Sequence, residues 1–231
     1  MGYRLTMEKR KELLENNCYY HIFSRSIAKY VVFNDAEEYS RMFDILKLCR
    51  FSDFNYKYSK FINLESKTQN TIIKNLKTDS PILVEIIAFC IMPTHFHLLL
   101  KQVSTRGISN YIARVLNSYS RYFNIKHQRT GPLWAGRFKS VLVSTDEQLL
   151  HLTRYIHLNP TSAKLVGKSE DWDFSSYHEY LNTNTKQEKV CSFANLFEFS
   201  PKEYKKFVLD RKSYQQEISR IKNILIDNYT G

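Results

Sequence analysis

Apolar positions along the chain change period several times, and each change marks an element. Residues 18–26 (CYYHIFSRS) alternate and are rich in β-formers, which predicts a strand. From 35 to 49 the spacing turns helical, with Tyr39, Met42, Phe43, Ile45 and Leu46 on one stripe behind an Asn34-Asp35 capping signal. Polar residues dominate from about 50 to 80, which reads as an irregular insertion holding at most a short helix. Residues 82–91 (ILVEIIAFCI) are too apolar for a half-exposed strand and fit a central one, buried on both faces. Met92-Pro93-Thr94 breaks that run, and 95–101 (HFHLLLK) resumes as the second arm of a hairpin.

Over 109–126, residues Ile112, Val115, Leu116, Tyr119, Tyr122 and Phe123 recur at helical spacing, and Arg129-Thr130-Gly131-Pro132 ends the helix. Residues 138–144 (FKSVLVS) alternate as a fourth strand. Thr145-Asp146 then caps a helix expected to stop near Asn159-Pro160, because a residue before proline is pushed out of the α region. The order βαββαβ, followed by one more helix, is an α+β arrangement of the ferredoxin-like kind: a four-stranded antiparallel sheet with helices on one face. Beyond it, 171–181 reads as a packed loop entering a short helix and 182–189 as a polar linker. Ser200-Pro201 opens a lysine-rich helix to about Arg211, and 213–228 carries a last amphipathic one. The expected division is a main domain over 1–181 and a C-terminal helical extension over 182–231.

Composition changes this picture in one respect. Of 231 residues, 34 are Lys or Arg and 23 Asp or Glu, for a formal charge of +11. Such an excess on a folded chain points to a polyanionic partner, nucleic acid or an anionic membrane surface. Apolar and charged contents of 43% and 25% exclude wholesale disorder and fibrous repeats. Cys18, Cys49, Cys90 and Cys191 form no C-x-x-C pair, so neither a zinc ribbon nor a disulfide framework is indicated, and free thiols in a reducing compartment are expected. No apolar run reaches the roughly 18 residues that span a bilayer, and the first residues do not resemble a signal peptide, so the expectation is a cytoplasmic protein with no membrane partner.

Two local patterns carry candidate chemistry. His95-Phe96-His97 lies on a strand, where i and i+2 share a face, so both imidazoles project together. Two half-buried histidines held by hydrogen bonds would satisfy the same pattern. In Arg154-Tyr155-Ile156-His157-Leu158-Asn159-Pro160, Tyr155 and Asn159 stand one turn apart on one helix face. A surface tyrosine and an Asn cap are the plainer account of that pair. His151, one turn before Tyr155, is a further acid-base candidate, while Tyr119 and Tyr122 read as core. Arg114, Arg121, Lys126, Arg129, Arg137 and Lys139 could hold phosphates, with Arg154 beside the tyrosine, and Trp134 and Phe138 could stack bases.

The ordered combination of M-P-x-H-hydrophobic-H, of W-x-x-R-F at Trp134, Arg137 and Phe138, and of R-Y-I-x-x-N-P resembles the single-tyrosine HUH transposases of the IS200/IS605 kind. More narrowly it resembles the REP-associated tyrosine transposases, over roughly residues 18–180. The resemblance implies a ferredoxin-like, RRM-like catalytic fold. It implies a divalent metal, Mg²⁺ or Mn²⁺, held by His95, His97 and Asn159, with Tyr155 as the nucleophile. The activity implied is nicking and rejoining of single-stranded DNA with hairpin or palindromic ends through a 5′-phosphotyrosine. Relatives that exchange the tyrosine helix between subunits and relatives that work as monomers leave both the homodimer and the monomer open. A non-catalytic RRM-like nucleic-acid binder is the alternative, although no RNP1-like stretch is evident.

Overall fold

The computed structural model describes residues 14–183 and 188–210. Four strands, β1 (Tyr19–Arg25), β2 (Val84–Met92), β3 (His95–Gln102) and β4 (Lys139–Val143), form one antiparallel sheet in the order β2-β3-β1-β4. This is the ferredoxin-like order, with the first and third strands central. The β2–β3 hairpin turns at Pro93-Thr94 and pairs Met92 with His95, Cys90 with His97 and Ala88 with Leu99, after an irregularity near Ile86. β1 sits between β3 and β4, with Phe23 opposite both His97 and Lys139.

Alternation sorts the strand side chains into two layers. Tyr20, Ile22, Phe96, Leu98 and Leu100 join the larger core under α1 (Ala36–Cys49) and α4 (Gly107–Lys126), the two helices of the βαββαβ unit, which share one face as expected. Asp35 caps α1 by accepting from Glu38 N at 2.9 Å. Gly107 opens α4 where a Cβ would stand 2.1 Å from Leu83 O, so only glycine admits this approach. The opposite layer, with Ile87, Ala88, Cys90 and Leu99, is covered by α5 (Asp146–Ser162), the helix that follows the unit.

Two sequence expectations are corrected. The segment 50–80 is not irregular, because it contains α2 (Tyr58–Phe61) and the 14-residue α3 (Ser66–Asp79). In α3 only Leu76 is buried, with Ile72 and Ile73 partly so, and that stripe is too thin to show against its polar surroundings. Nor does α5 stop before proline. It runs through the buried Pro160 to Ser162, since a proline so near the end removes one bond only and the helix closes with Ala163 N donating to Asn159 O at 2.9 Å.

The chain then forms a short turn at Ser169–Asp171, α6 (Tyr177–Tyr180) and α7 (Pro201–Leu209). Ser200 and Glu203 make a reciprocal capping box at the start of α7. Tyr177, Tyr180, Tyr204 and Val208 form a third apolar cluster, which seats α7 against α5. The helix expected over 213–228, with Arg211 and Lys212, lies outside the described residues. All four cysteines are free, and no helix among the described residues is long and apolar enough to cross a membrane.

Candidate active site

His95 and His97 project from β3 toward the α5 side of the sheet, their ring centroids 5.2 Å apart and their planes nearly perpendicular. His97 is fully buried. Its Nδ1 shares a 3.0 Å hydrogen bond with Nε2 of His21, itself fully buried on β1, and the two rings stack. Nδ1 of His95 lies 2.9 Å from Thr94 Oγ1. Each ring is thus oriented through Nδ1, so the nitrogen it would offer an ion is Nε2. This is the usual arrangement of a metal-binding histidine, whose second nitrogen is held by a neighbour.

α5 brings Tyr155 to the same place. Its ring meets His97 edge-on at 5.7 Å and His21 at 6.1 Å. The Tyr155 hydroxyl is buried and makes no hydrogen bond among the described residues. One turn on, Asn159 donates from Nδ2 to Tyr155 O at 3.2 Å and lines a cleft of about 300 Å³ together with Phe23, Arg25, Lys29, Met92, Thr94, His95 and Ala163. The amide oxygen of Asn159 is therefore the atom suited to face an ion. Two imidazoles with an amide oxygen and no thiolate suit a hard or borderline divalent cation that also takes water and phosphate oxygens. Among the described residues, no group of three His, Cys, Asp or Glu forms a separate metal site.

The back of α5 faces α7 through a directed chain of hydrogen bonds. Thr153 Oγ1 donates to Leu150 O at 2.7 Å, so the Tyr204 hydroxyl donates to Thr153 Oγ1 at 2.9 Å and accepts from His157 Nδ1 at 2.6 Å. Nε2 of His157 in turn accepts from Ser176 Oγ at 2.7 Å. Burial pushes the His157 imidazole down to about 3, which keeps it neutral and keeps this chain of donors in one direction. The tyrosine thus stands on a helix whose far side is anchored.

Several residues expected to touch DNA have other work. Arg154 is fully buried, donates to Asp210 O and lies 4.8 Å over the Phe207 ring, so it ties α5 to the end of α7. Trp134 is buried among Phe33, Phe96 and Tyr119, which leaves no face for a base. Arg114 donates to Phe51 O and Ser52 O, each at 3.0 Å, from α4 on the far side of the sheet. Arg121 is exposed on that same helix. Lys126 is engaged by Asp35, Glu37 and Glu38. Phe138 packs against the larger core, and the His151 ring lies 5.4 Å from that of Phe207, toward α7. Arg137 and Lys139 are exposed, and register places Lys139 beside Phe23 on the histidine face.

Sequence reasoning passed over His21, Arg25 and Lys29. The alternation Tyr19, His21, Phe23, Arg25 already puts His21 and Arg25 on one face of the first strand. The missing information was which strand lies beside β3.

The profile of the family described as Transposase IS200 like matches residues 52–159, a stretch that includes both histidines, Tyr155 and Asn159. That stretch is similar to the IS200-like transposases, the family that the sequence motifs resemble. A Haemophilus influenzae protein named, provisionally, as a REP-associated tyrosine transposase is 31% identical over 104 residues, which cover 41% of this chain and 59% of that protein. Among solved structures, a REP-associated tyrosine transposase bound to a REP hairpin aligns over 85% of this chain and 96% of its own, at 14% identity and a TM-score of 0.49. A Deinococcus radiodurans protein described provisionally as a transposase aligns over 65% and 95%, at 19% identity and a TM-score of 0.35.

Proposed function

We propose that the chain is a metal-dependent single-strand DNA endonuclease and strand-transferase that acts on hairpin or palindromic DNA, with Tyr155 as nucleophile. The observation that carries this reading is the Tyr155 hydroxyl, buried without a hydrogen bond among the described residues and on a ring packed edge-on against His97. A buried hydroxyl left without a structural partner costs stability, and this one stands beside the two imidazoles, where chemistry can use it. Attack by Tyr155 Oη on the scissile phosphorus forms the phosphotyrosine bond and breaks the bond to the leaving 3′-oxygen. The phenolic proton is lost and the 3′-oxygen becomes a hydroxyl. The reverse attack by a 3′-hydroxyl rejoins strands, so the phosphodiester energy is kept in the covalent intermediate and no nucleotide cofactor is needed.

His95, His97 and Asn159 would hold Mg²⁺ or Mn²⁺. When bound, that ion polarises the phosphate and stabilises charge on the leaving oxygen. Of the chain's own groups, His21 and Thr94 orient the two imidazoles, and α7 fixes the helix that carries Tyr155.

The test incubates the protein with Mg²⁺ and 5′-labelled and 3′-labelled single-stranded hairpins from the flanks of its own gene. Cleavage and a covalent protein–DNA adduct are expected with the parent chain, and neither with Tyr155→Phe. Chelation, or His97→Ala, should abolish cleavage and spare much of the binding. An adduct that persists in Tyr155→Phe removes Tyr155 from the role. Binding without cleavage of any hairpin favours the RRM-like binder.

A further inference from the structure

Tyr119 reads in the sequence as core, and its ring does pack in the larger core, against Phe33 and Trp134. A phenylalanine ring would meet the same neighbours, so packing does not explain the hydroxyl. The side chain is fully buried, and burial pushes the phenol well above its ordinary value, which keeps its proton in place. The hydroxyl donates to Val32 O at 2.5 Å. Val32 in turn stands between α4 and the histidine hairpin. Its own N–H donates to Pro93 O at 2.8 Å, and Phe33 N donates to the same oxygen at 3.2 Å. Both residues are buried, so water has no access to these bonds. Next along the chain, Asn34 gives its backbone N–H and its side-chain amide to the buried Glu38 carboxylate, at 2.7 and 2.9 Å. The segment 32–34 is thus fastened to α4 through Tyr119 and to α1 through Glu38, and it reaches from them to the turn at Pro93-Thr94.

That turn sets the orientation of His95. His97 lies inside β3 with a buried partner in His21, whereas His95 is the first residue of the strand and only partly buried. Nδ1 of His95 shares a hydrogen bond with Thr94 Oγ1 at 2.9 Å, and the direction of that hydroxyl follows the two peptide planes that flank Thr94. One plane carries Pro93 O, held by Val32 N and Phe33 N, and the other carries Thr94 O, held by Ser26 N at 2.8 Å. Bonds from outside the hairpin therefore fix the residue that orients the imidazole. The Pro93 bond leads back through a single residue, Val32, to the Tyr119 hydroxyl.

We infer that Tyr119 is a positioning residue for the proposed metal site. From α4, on the face of the sheet opposite the site, its hydroxyl braces Val32, and Val32 clamps Pro93 O and so fixes Thr94 and the His95 imidazole. Tyr119 does this without touching DNA, metal or Tyr155. The inference deepens the proposed function and rests on it only for His95 being a metal ligand.

The experiment compares Tyr119→Phe with Tyr111→Phe in the full chain. Tyr111 lies on the same helix and is equally buried, but its hydroxyl donates at 3.0 Å to Leu46 O in α1, away from the 32–34 segment. In metal-free protein followed by NMR, Tyr119→Phe should speed amide exchange at Val32 and Phe33 about tenfold relative to the slowest amides of β1 and β3, the weight of about one hydrogen bond. It should also move the imidazole nitrogen shifts of His95 and leave those of His157 in place. Mn²⁺ titration followed by electron paramagnetic resonance should show binding weaker by about three- to tenfold, less than the loss on removing a neighbour that touches the imidazole itself. Tyr111→Phe should match the parent in all three measurements. Unchanged exchange, unmoved His95 shifts or unchanged Mn²⁺ affinity in Tyr119→Phe would overturn the inference, and so would the same changes in Tyr111→Phe, which would mark a general loosening. If Tyr119→Phe does not fold, the parent decides: Val32 and Phe33 amides that exchange as fast as those of the exposed Ala28 and Lys29 overturn the clamp, and amides as slow as the core uphold it. If the parent binds no Mn²⁺ while exchange and His95 shifts still change in Tyr119→Phe alone, the metal reading fails and the positioning of His95 stands.

Discussion

The hydrogen-bond chain behind Tyr155 gives a quantitative prediction. In Tyr204→Phe the ring stays, packed in the cluster that joins α7 to α5, and one oxygen is removed from a site with no solvent access. His157 Nδ1–H then has no acceptor where it had one at 2.6 Å, and Thr153 Oγ1 loses a donor at 2.9 Å but keeps its own bond to Leu150 O. The first loss strands a buried donor, which costs about 1–3 kcal/mol, and the second is smaller because Thr153 remains half satisfied. About 2 kcal/mol in all is expected, which lowers Tm by about 4–8 °C in a chain of this size. His157→Leu removes the stranded donor itself and leaves Ser176 Oγ its alternative acceptor, Phe89 O at 3.2 Å. Adding it to Tyr204→Phe should therefore cost less than the two single changes summed, by about 1 kcal/mol. Urea unfolding of the four proteins in the cycle measures this. A Tyr204→Phe protein within about 0.5 kcal/mol of the parent, or single effects that simply add, would refute the directed chain.

Two further predictions address the other buried polar groups. His21→Ala should weaken Mn²⁺ binding by about 10–100-fold, the usual effect of removing a neighbour that orients a metal-binding imidazole, while His21→Gln, whose amide oxygen can accept from His97 Nδ1, should retain most of it. Mn²⁺ titration followed by electron paramagnetic resonance reads this, and unchanged affinity in His21→Ala would remove His21 from that role. Burial alone would raise the Glu38 carboxyl, but hydrogen bonds from Asn34 N–H, His127, the Asn34 amide and Lys126 outweigh it and hold the group below its ordinary 4.5. The unfolded chain therefore takes up that proton at higher pH than the folded one. The stability from Glu38 is fully present above about pH 4.5 and is lost as pH falls toward the folded value. Glu38→Gln should be less stable at pH 7 and should lose less on going from pH 5 to 3, as measured by urea melts, whereas an unchanged acid dependence would contradict this account.

The sheet was legible from the sequence because its strands differ in period. β2 is apolar without alternation because it is buried on both faces, β3 shares that burial in its run Leu98-Leu99-Leu100, and the sequences of β1 and β4 alternate. The pairing that makes the site was not legible. His21 lies on β1 and His97 on β3, and the two meet only because β3 inserts between β2 and β1, a fact of strand order that no local pattern carries. The positive charge shows the same limit. Counted along the chain, Arg114, Lys126 and Arg154 look like an extension of the active face, yet in space Arg114 caps backbone carbonyls, Lys126 joins a carboxylate cluster and Arg154 fastens one helix to another. A cation's sequence position near a motif says little, because a strand sends neighbouring residues to opposite faces and a helix turns each about 100° from the last. What distinguishes Arg25 and Lys29 is the absence of a carboxylate beside them among the described residues, together with their place in the cleft that holds His95 and Asn159. An excess of +11 therefore bears on nucleic acid through those few charges that the fold leaves unneutralised next to the histidines, and the slope of log K against log salt for hairpin binding by Arg25→Gln and Lys29→Gln, expected to be shallower than the parent's, measures that share directly.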